Sequence, residues 1–179
     1  MSTKDIVYIA LFAAIIAALG VVPPLLLAFI PVPITAQSLG VMLCGSILGS
    51  KRGYLATVLF LVMVIIGLPV LAGGGGGIGV LLGPSGGFVL GWPIDAYMIG
   101  LLFERNYNKI NYIRAFIYIA FGGILVMYLI GILWLSIVTG LGLEEALYGV
   151  LVFIPGDIVK VAIATAVSIT VKRFYPLIS

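Results

Sequence analysis

Charged side chains are almost absent from six stretches of this sequence, and their placement decides the solvent in which the chain folds. The apolar runs fall at Ile6 to Ile30, Ile34 to Leu48, Tyr54 to Leu71, Phe88 to Phe103, Ile113 to Val138 and Leu147 to Val171. Hydrophobic residues make up 63% of the chain and charged residues 8%, where a soluble domain carries about a quarter charged residues. The mean hydropathy of +1.34 is beyond what a soluble core can bury. At ~20 residues per crossing, six helices account for about 120 residues and leave only short loops. The expectation is an all-α, polytopic membrane protein with six transmembrane helices, forming one integral membrane domain over residues 1–179.

The breaks between the runs have physical causes. Pro23-Pro24 with Pro31 and Pro33, Ser50 to Gly53, the glycine stretch 73–77, the polar loop Glu104 to Asn111 and Gly140 to Glu145 are poor helix formers or polar. A cleaved signal peptide is the rival reading of the first run, which is too long for a typical signal core and is kept as helix one.

Charge sets the orientation, because Lys and Arg in short loops stay cytoplasmic. With six spans, the amino terminus, the second and fourth loops and the carboxyl terminus share one side. That side holds Lys4, Lys51, Arg52, Arg105, Lys109, Arg114, Lys172 and Arg173 of the nine Lys and Arg residues. The opposite loops hold none, and Lys160 lies inside the last run. Both termini are therefore expected in the cytoplasm. The net charge of +3 is spread along the chain and does not make a nucleic-acid surface.

Several chemistries are excluded by composition. With no histidine, imidazole-based hydrolase triads, His-containing zinc sites and histidine pH switches are unavailable to the chain. Cys44 stands alone in an apolar run and reads as a small core residue. Gly45 to Arg52 departs from the G-x-x-x-x-G-K-[ST] phosphate loop, so no ATP hydrolysis follows by that route. Ile154 breaks the Gly-x-Gly-Asp pattern of aspartyl intramembrane proteases.

Asp157 and Lys160 are the most informative pair. In Pro155-Gly156-Asp157-Ile158-Val159-Lys160 a spacing of three puts both on one helix face. Pro155 suits a first helical turn and Asp157 the positive end of the dipole, so a helix is expected to start here. Lys160 then lies about 8 Å into that helix from the outer surface. Buried ions face a cavity or a partner. The functional reading is a pocket for a polar, anionic small molecule; the alternative is an ion pair that only holds the last helix in place.

Asp95, mid-way along the fourth run, shares a spacing of four with Gly91, Gly87 and Gly83, a small-residue stripe. It is open between a tight helix contact, bonded to a neighbour or to Lys160, and ligand contact. The run Gly73 to Gly77 is either a lid whose amides, those of Gly73 and Gly74 among them, donate to a ligand, or a flexible connector. Ala10, Ala14 and Ala18 at spacing four give helix one a smooth face for a partner helix or for packing within the chain.

Taken in order, Val32 to Gly40, Gly67 to Val70 with the glycine run, Leu82 to Phe88, the Tyr128, Gly131 and Trp134 set, and Pro155-Gly156-Asp157 to Lys160 resemble the BioY family, the biotin-specific substrate-capture subunits of energy-coupling-factor transporters. The resemblance runs through essentially the whole chain. It implies a non-enzymatic subunit of the prokaryotic cytoplasmic membrane, surrounded by lipid, that binds biotin from outside as cargo and uses no cofactor. It also implies a transmembrane coupling (T) subunit and two cytoplasmic ATPase subunits as partners, with Ala10 and Ala14 docking to the coupling subunit. Asp157 and Lys160 are implied as ligand residues.

Biotin chemistry fits these types. Its ureido group donates two N–H and offers a carbonyl, and it carries a carboxylate, so Asp can accept and Lys can pair with either oxygen-bearing end. Phe88 and Trp92 are expected on the bicyclic ring or as plain core, and Gln37 as a further hydrogen-bonding residue. The rivals are a stand-alone secondary carrier coupling protons through Asp95, and a membrane enzyme acting on a small anionic substrate through Asp95, Asp157 and Lys160.

Overall fold

The chain was described from a computed structural model covering residues 1–28 and 30–178. Helix α1 (Thr3–Leu19) begins at a capping box: Asp5 N donates to Ser2 Oγ at 3.2 Å and Ser2 N donates to Asp5 Oδ2 at 2.7 Å. It stops well short of the end of the first apolar run, because Pro23 and Pro24 cannot continue a helix. The chain instead forms a small antiparallel ribbon of β1 (Leu25–Leu27) and β2 (Ile30–Ile34). The all-α expectation is corrected to this extent.

Helix α2 (Gln37–Leu48) is the axis of the bundle. Ten of its twelve residues are buried, and α1, α3 (Ser50–Ile65), α5 (Gly86–Arg105) and α9 (Ile154–Phe174) all pack against it. A helix enclosed by others needs no apolar stripe. Its small residues allow that closeness: a side chain at Gly45 would meet the backbone of α5 at Ala96, and one at Gly40 would meet α1 at Ile16. The turn into α3 passes through Gly49 at φ +84°, a left-handed conformation that side chains resist.

The glycine run follows α3 as a loop closed by a bridge between Leu71 and Gly75, then a short helix α4 (Ile78–Leu82). Helix α5 comes next, and Gly83 precedes it, so the stripe expected through Gly83 is carried on α5 only by Gly87 and Gly91. Helix α6 (Tyr112–Ala120), a π-helical stretch Phe121–Val126 and α7 (Met127–Thr139) make one continuous rod. Helices α5 and α7 approach closely by a reciprocal exchange: Gly87 lies under the Trp134 ring and Gly131 under the Phe88 ring, leaving no room for a Cβ at either.

The last apolar run, Leu147 to Val171, is divided between the second half of α8 (Leu143–Leu151) and α9, and α8 starts within the Gly140 to Glu145 segment that was expected to be a break. The break falls at Phe153, and α9 starts as the Pro155 argument expects. By length and hydropathy α5, the α6–α7 rod and α9 can each cross a membrane, at 20, 28 and 21 residues. Helix α2 is about 18 Å long against a hydrocarbon core of about 30 Å.

One end of the bundle gathers the charged segments. Arg52 pairs with Asp5 at 3.5 Å and donates to the Leu177 carbonyl at 2.7 Å. Ser50 donates its N–H and its hydroxyl to the Glu104 carboxylate, both at 2.7 Å, and Lys172 reaches the carbonyls of Tyr107 and Ile110. The amino-terminal turn, the α2–α3 turn, the α5–α6 loop and the carboxyl-terminal segment therefore lie together. The ribbon, the glycine loop and the start of α9 lie at the other end.

Candidate functional site

Away from the charged end, a cavity of about 740 Å³, counting its open mouth, is enclosed between β2, the start of α2, the glycine loop, α5, the start of α7 and α9. Its polar wall is built from side chains of three helices. Asp157 and Lys160 project from the first turns of α9, Tyr128 from the first turn of α7 and Ser38 from the first turn of α2. Lys160 Nζ donates to Asp157 Oδ1 at 2.7 Å and to Ser38 Oγ at 3.0 Å. Tyr128 donates its hydroxyl to Asp157 Oδ2 at 2.6 Å.

This arrangement resolves the cost of burying Asp157, which is 3% exposed. An isolated carboxylate in hydrocarbon costs several kcal/mol. Here each oxygen has a donor, one of them cationic, and the helix dipole of α9 adds to the stabilisation. An ammonium carries three N–H groups, and Lys160 spends two on protein acceptors among the described residues. The network ties α9 to α2 and α7 and also borders the cavity.

The remaining walls are apolar. Phe88 meets Tyr128 edge-on at 6.5 Å between ring centroids, and Trp92 leans on Phe60 at 5.6 Å. Both Phe88 and Trp92 line the cavity. Gln37 lines it too, but its amide is engaged elsewhere. Its Nε2 donates to the carbonyls of Ile16 and Val70 at 3.0 and 2.9 Å, and its Oε1 accepts from Ala72 N at 2.8 Å. Gln37 therefore ties α1 and the glycine loop to α2, where a hydrogen bond to the ligand was expected.

The glycine loop contributes differently from the expectation. Ala72 and Gly75 line the cavity, while Gly73 and Gly74 do not. Both have φ of +77° and form the turn that lets Leu71 and Gly75 pair. Asp95 lies in the core away from the cavity surface, fully buried, and neither of its oxygens has a hydrogen-bond partner among the described residues. The bond to a neighbour or to Lys160, one of the two readings open for Asp95, is not made among the described residues. Ala10, Ala14 and Ala18 are exposed on α1, whose opposite face packs Ile9, Phe12, Ala13 and Ile16.

Sequence reasoning missed Tyr128 and Ser38 as members of the site. Both sat inside segments already singled out, Tyr128 ahead of Gly131 and Ser38 directly after Gln37. Neither carries a charge that would mark it as anomalous in an apolar run.

Comparison with known proteins adds independent information. The model of the BioY family matches residues 1–177. The biotin transporter BioY of Rhizobium etli is 48% identical over 183 residues, spanning 99% of this chain and 98% of that protein. The biotin transporter BioY of Rhodobacter capsulatus is 46% identical over 182 residues, spanning 97% of this chain and 95% of that protein. The 2.1 Å crystal structure of the S-component for biotin from an ECF-type ABC transporter superposes with a TM-score of 0.94 at 33% identity, over 99% of this chain and 97% of that one. With agreement in sequence and in backbone along nearly its whole length, the chain belongs to the BioY family.

Proposed function

We propose that this chain is the biotin-binding, substrate-specific component of an energy-coupling-factor transporter and serves biotin uptake. The observation that carries the reading is the Asp157–Lys160–Tyr128–Ser38 network set on the wall of an otherwise apolar cavity. An amphipathic bicyclic ring with a urea and a carboxylate needs both an apolar bed and a few fixed donors and acceptors. The names of the relatives and of the solved neighbour support the same cargo. Biotin is cargo here and not a cofactor, and the chain is not an enzyme.

In this reading Asp157 and Lys160 hold a polar end of biotin, Phe88 and Trp92 bed its ring, and Ala72 and Gly75 close over it. The chain is one integral membrane domain of the prokaryotic cytoplasmic membrane, crossing six times through α1, α2 together with the β2 strand that leads into it, α3, α5, the α6–α7 rod and α9. Both termini lie in the cytoplasm, which accords with the gathering of the charged segments at one end. The partners are a transmembrane coupling subunit, met by Ala10 and Ala14 on the exposed face of α1, and two ATPase subunits. The test is calorimetry of the purified chain with biotin in the absence of ATP, paired with mass spectrometry of what co-purifies. Binding of biotin unaltered is expected; no heat, or chemical conversion of the ligand, refutes the reading.

A further inference from the structure

Two polar groups on α5 are buried without partners among the described residues: the indole Nε1 of Trp92 and both carboxyl oxygens of Asp95. Trp92 is 4% exposed and Asp95 is 0% exposed. They stand three residues apart, so they are neighbours on one face of the helix. A helical side chain leans toward the turn before it, which carries the Asp95 carboxyl toward Gly91 and Trp92. Gly91 itself has no side chain, and Ile130 packs against it, 3.4 Å from where a Cβ would stand. Trp92, Phe88 and Met127 are cavity walls, and Asp95 lies one turn further along α5 from Trp92.

Buried polar atoms are almost always satisfied, and an exception requires an occupant or a cost. The two orphans have opposite characters: an indole N–H only donates, and a carboxyl oxygen accepts. A bare cation would suit the carboxyl and leave the indole unpaired, and an anion would do the reverse. One neutral group that accepts from the indole and donates to the carboxyl satisfies both. We propose that Asp95 and Trp92 form a buried subsite beneath the cavity for such a group. Two sources offer this chemistry, the urea edge of biotin with its carbonyl and N–H, or one retained water. The first rests on the cargo proposed above; the second does not.

The test uses the full chain in detergent, with Asp95→Leu, Asp95→Asn and Trp92→Phe, read by biotin calorimetry and by thermal unfolding without ligand. If biotin fills the subsite, Asp95→Leu and Trp92→Phe each weaken binding by about tenfold or more, Asp95→Asn retains most of the affinity, and ligand-free melting of Asp95→Leu is unchanged or raised. If a water fills it, Asp95→Leu lowers ligand-free melting, Asp95→Asn largely restores it, and biotin affinity stays within about threefold of wild type. Asp95→Leu that melts at or above wild type and binds biotin equally well overturns the proposal, since an empty orphan only gains from becoming apolar. A wild-type chain that binds no biotin removes the cargo reading, while the melting comparison still decides whether the subsite is occupied.

Discussion

Removing one oxygen atom from Tyr128 is the sharpest test of the cavity wall. The Tyr128 hydroxyl donates to Asp157 Oδ2 at 2.6 Å, within the range of a charge-assisted O–H···O⁻ bond. A hydrogen bond to a charged group contributes about 1.5–3 kcal/mol, and its loss leaves Oδ2 buried without a donor. At about 1.4 kcal/mol per tenfold, Tyr128→Phe is expected to weaken biotin binding by about 10- to 100-fold if the network presents the ligand-binding atoms. The Phe ring keeps the edge-on contact with Phe88, so shape is conserved. The assay is isothermal titration of the purified chain with biotin for wild type, Tyr128→Phe, Asp157→Ala and the double variant. Because the hydroxyl acts through Asp157, adding Tyr128→Phe to Asp157→Ala is expected to change affinity by less than about threefold, a coupling of about 1 kcal/mol or more. Two penalties that simply add, or a Tyr128→Phe variant that binds like wild type, refute the reasoning.

Three other outcomes follow from the same structure. Exchanging Ala10 and Ala14 for Leu alters an exposed face, so melting is expected to shift by less than about 0.5 kcal/mol and biotin binding to persist, while cellular uptake of labelled biotin is lost; undiminished uptake removes the docking role. Gly131→Ala places a methyl group in the Phe88 ring, so overpacking is expected to cost about 1–3 kcal/mol and to press Phe88 toward the cavity, seen as lower melting and weaker binding together. Gly49→Ala meets a turn at φ +84° and ψ −174°, a conformation essentially confined to glycine, where a Cβ would also press on the Glu104 carboxylate, and is expected to lower thermal stability by about 1–3 kcal/mol with biotin affinity unchanged; unaltered melting contradicts the turn geometry.

What the sequence made visible and what it hid follow from the range of each interaction. Asp157 and Lys160 stood out because two charges inside an apolar run are costly, and their spacing of three is local. The start of α9 was legible from Pro155 for the same reason. Tyr128 is 29 residues from Asp157, and Ser38 is 122 residues from Lys160; no local pattern encodes those pairings. The ribbon was hidden because Leu25 to Leu27 has no alternation, and the prolines around it announce only that a helix stops. In a run of five glycines nothing fixes the register, so Gly73 and Gly74 could not be told from Gly75 before the Leu71–Gly75 pairing was seen. The separate helix α8 was hidden because its first turn, with Glu144 and Glu145, reads as a polar break, while its second half runs on into the last apolar run with nothing in Phe153 to interrupt it.

The amide of Gln37 has a mechanical consequence. One side chain at the head of α2 holds the last turn of α1 through Ile16, and the strand of chain beside the cavity through Val70 and Ala72. Each of these bonds contributes about 0.5–1.5 kcal/mol, so separating either segment from the head of α2 costs at least one bond of that size. The border of the cavity at Ala72 and the helix that carries Ala10 and Ala14 thus share a single point of attachment in the side chain of Gln37.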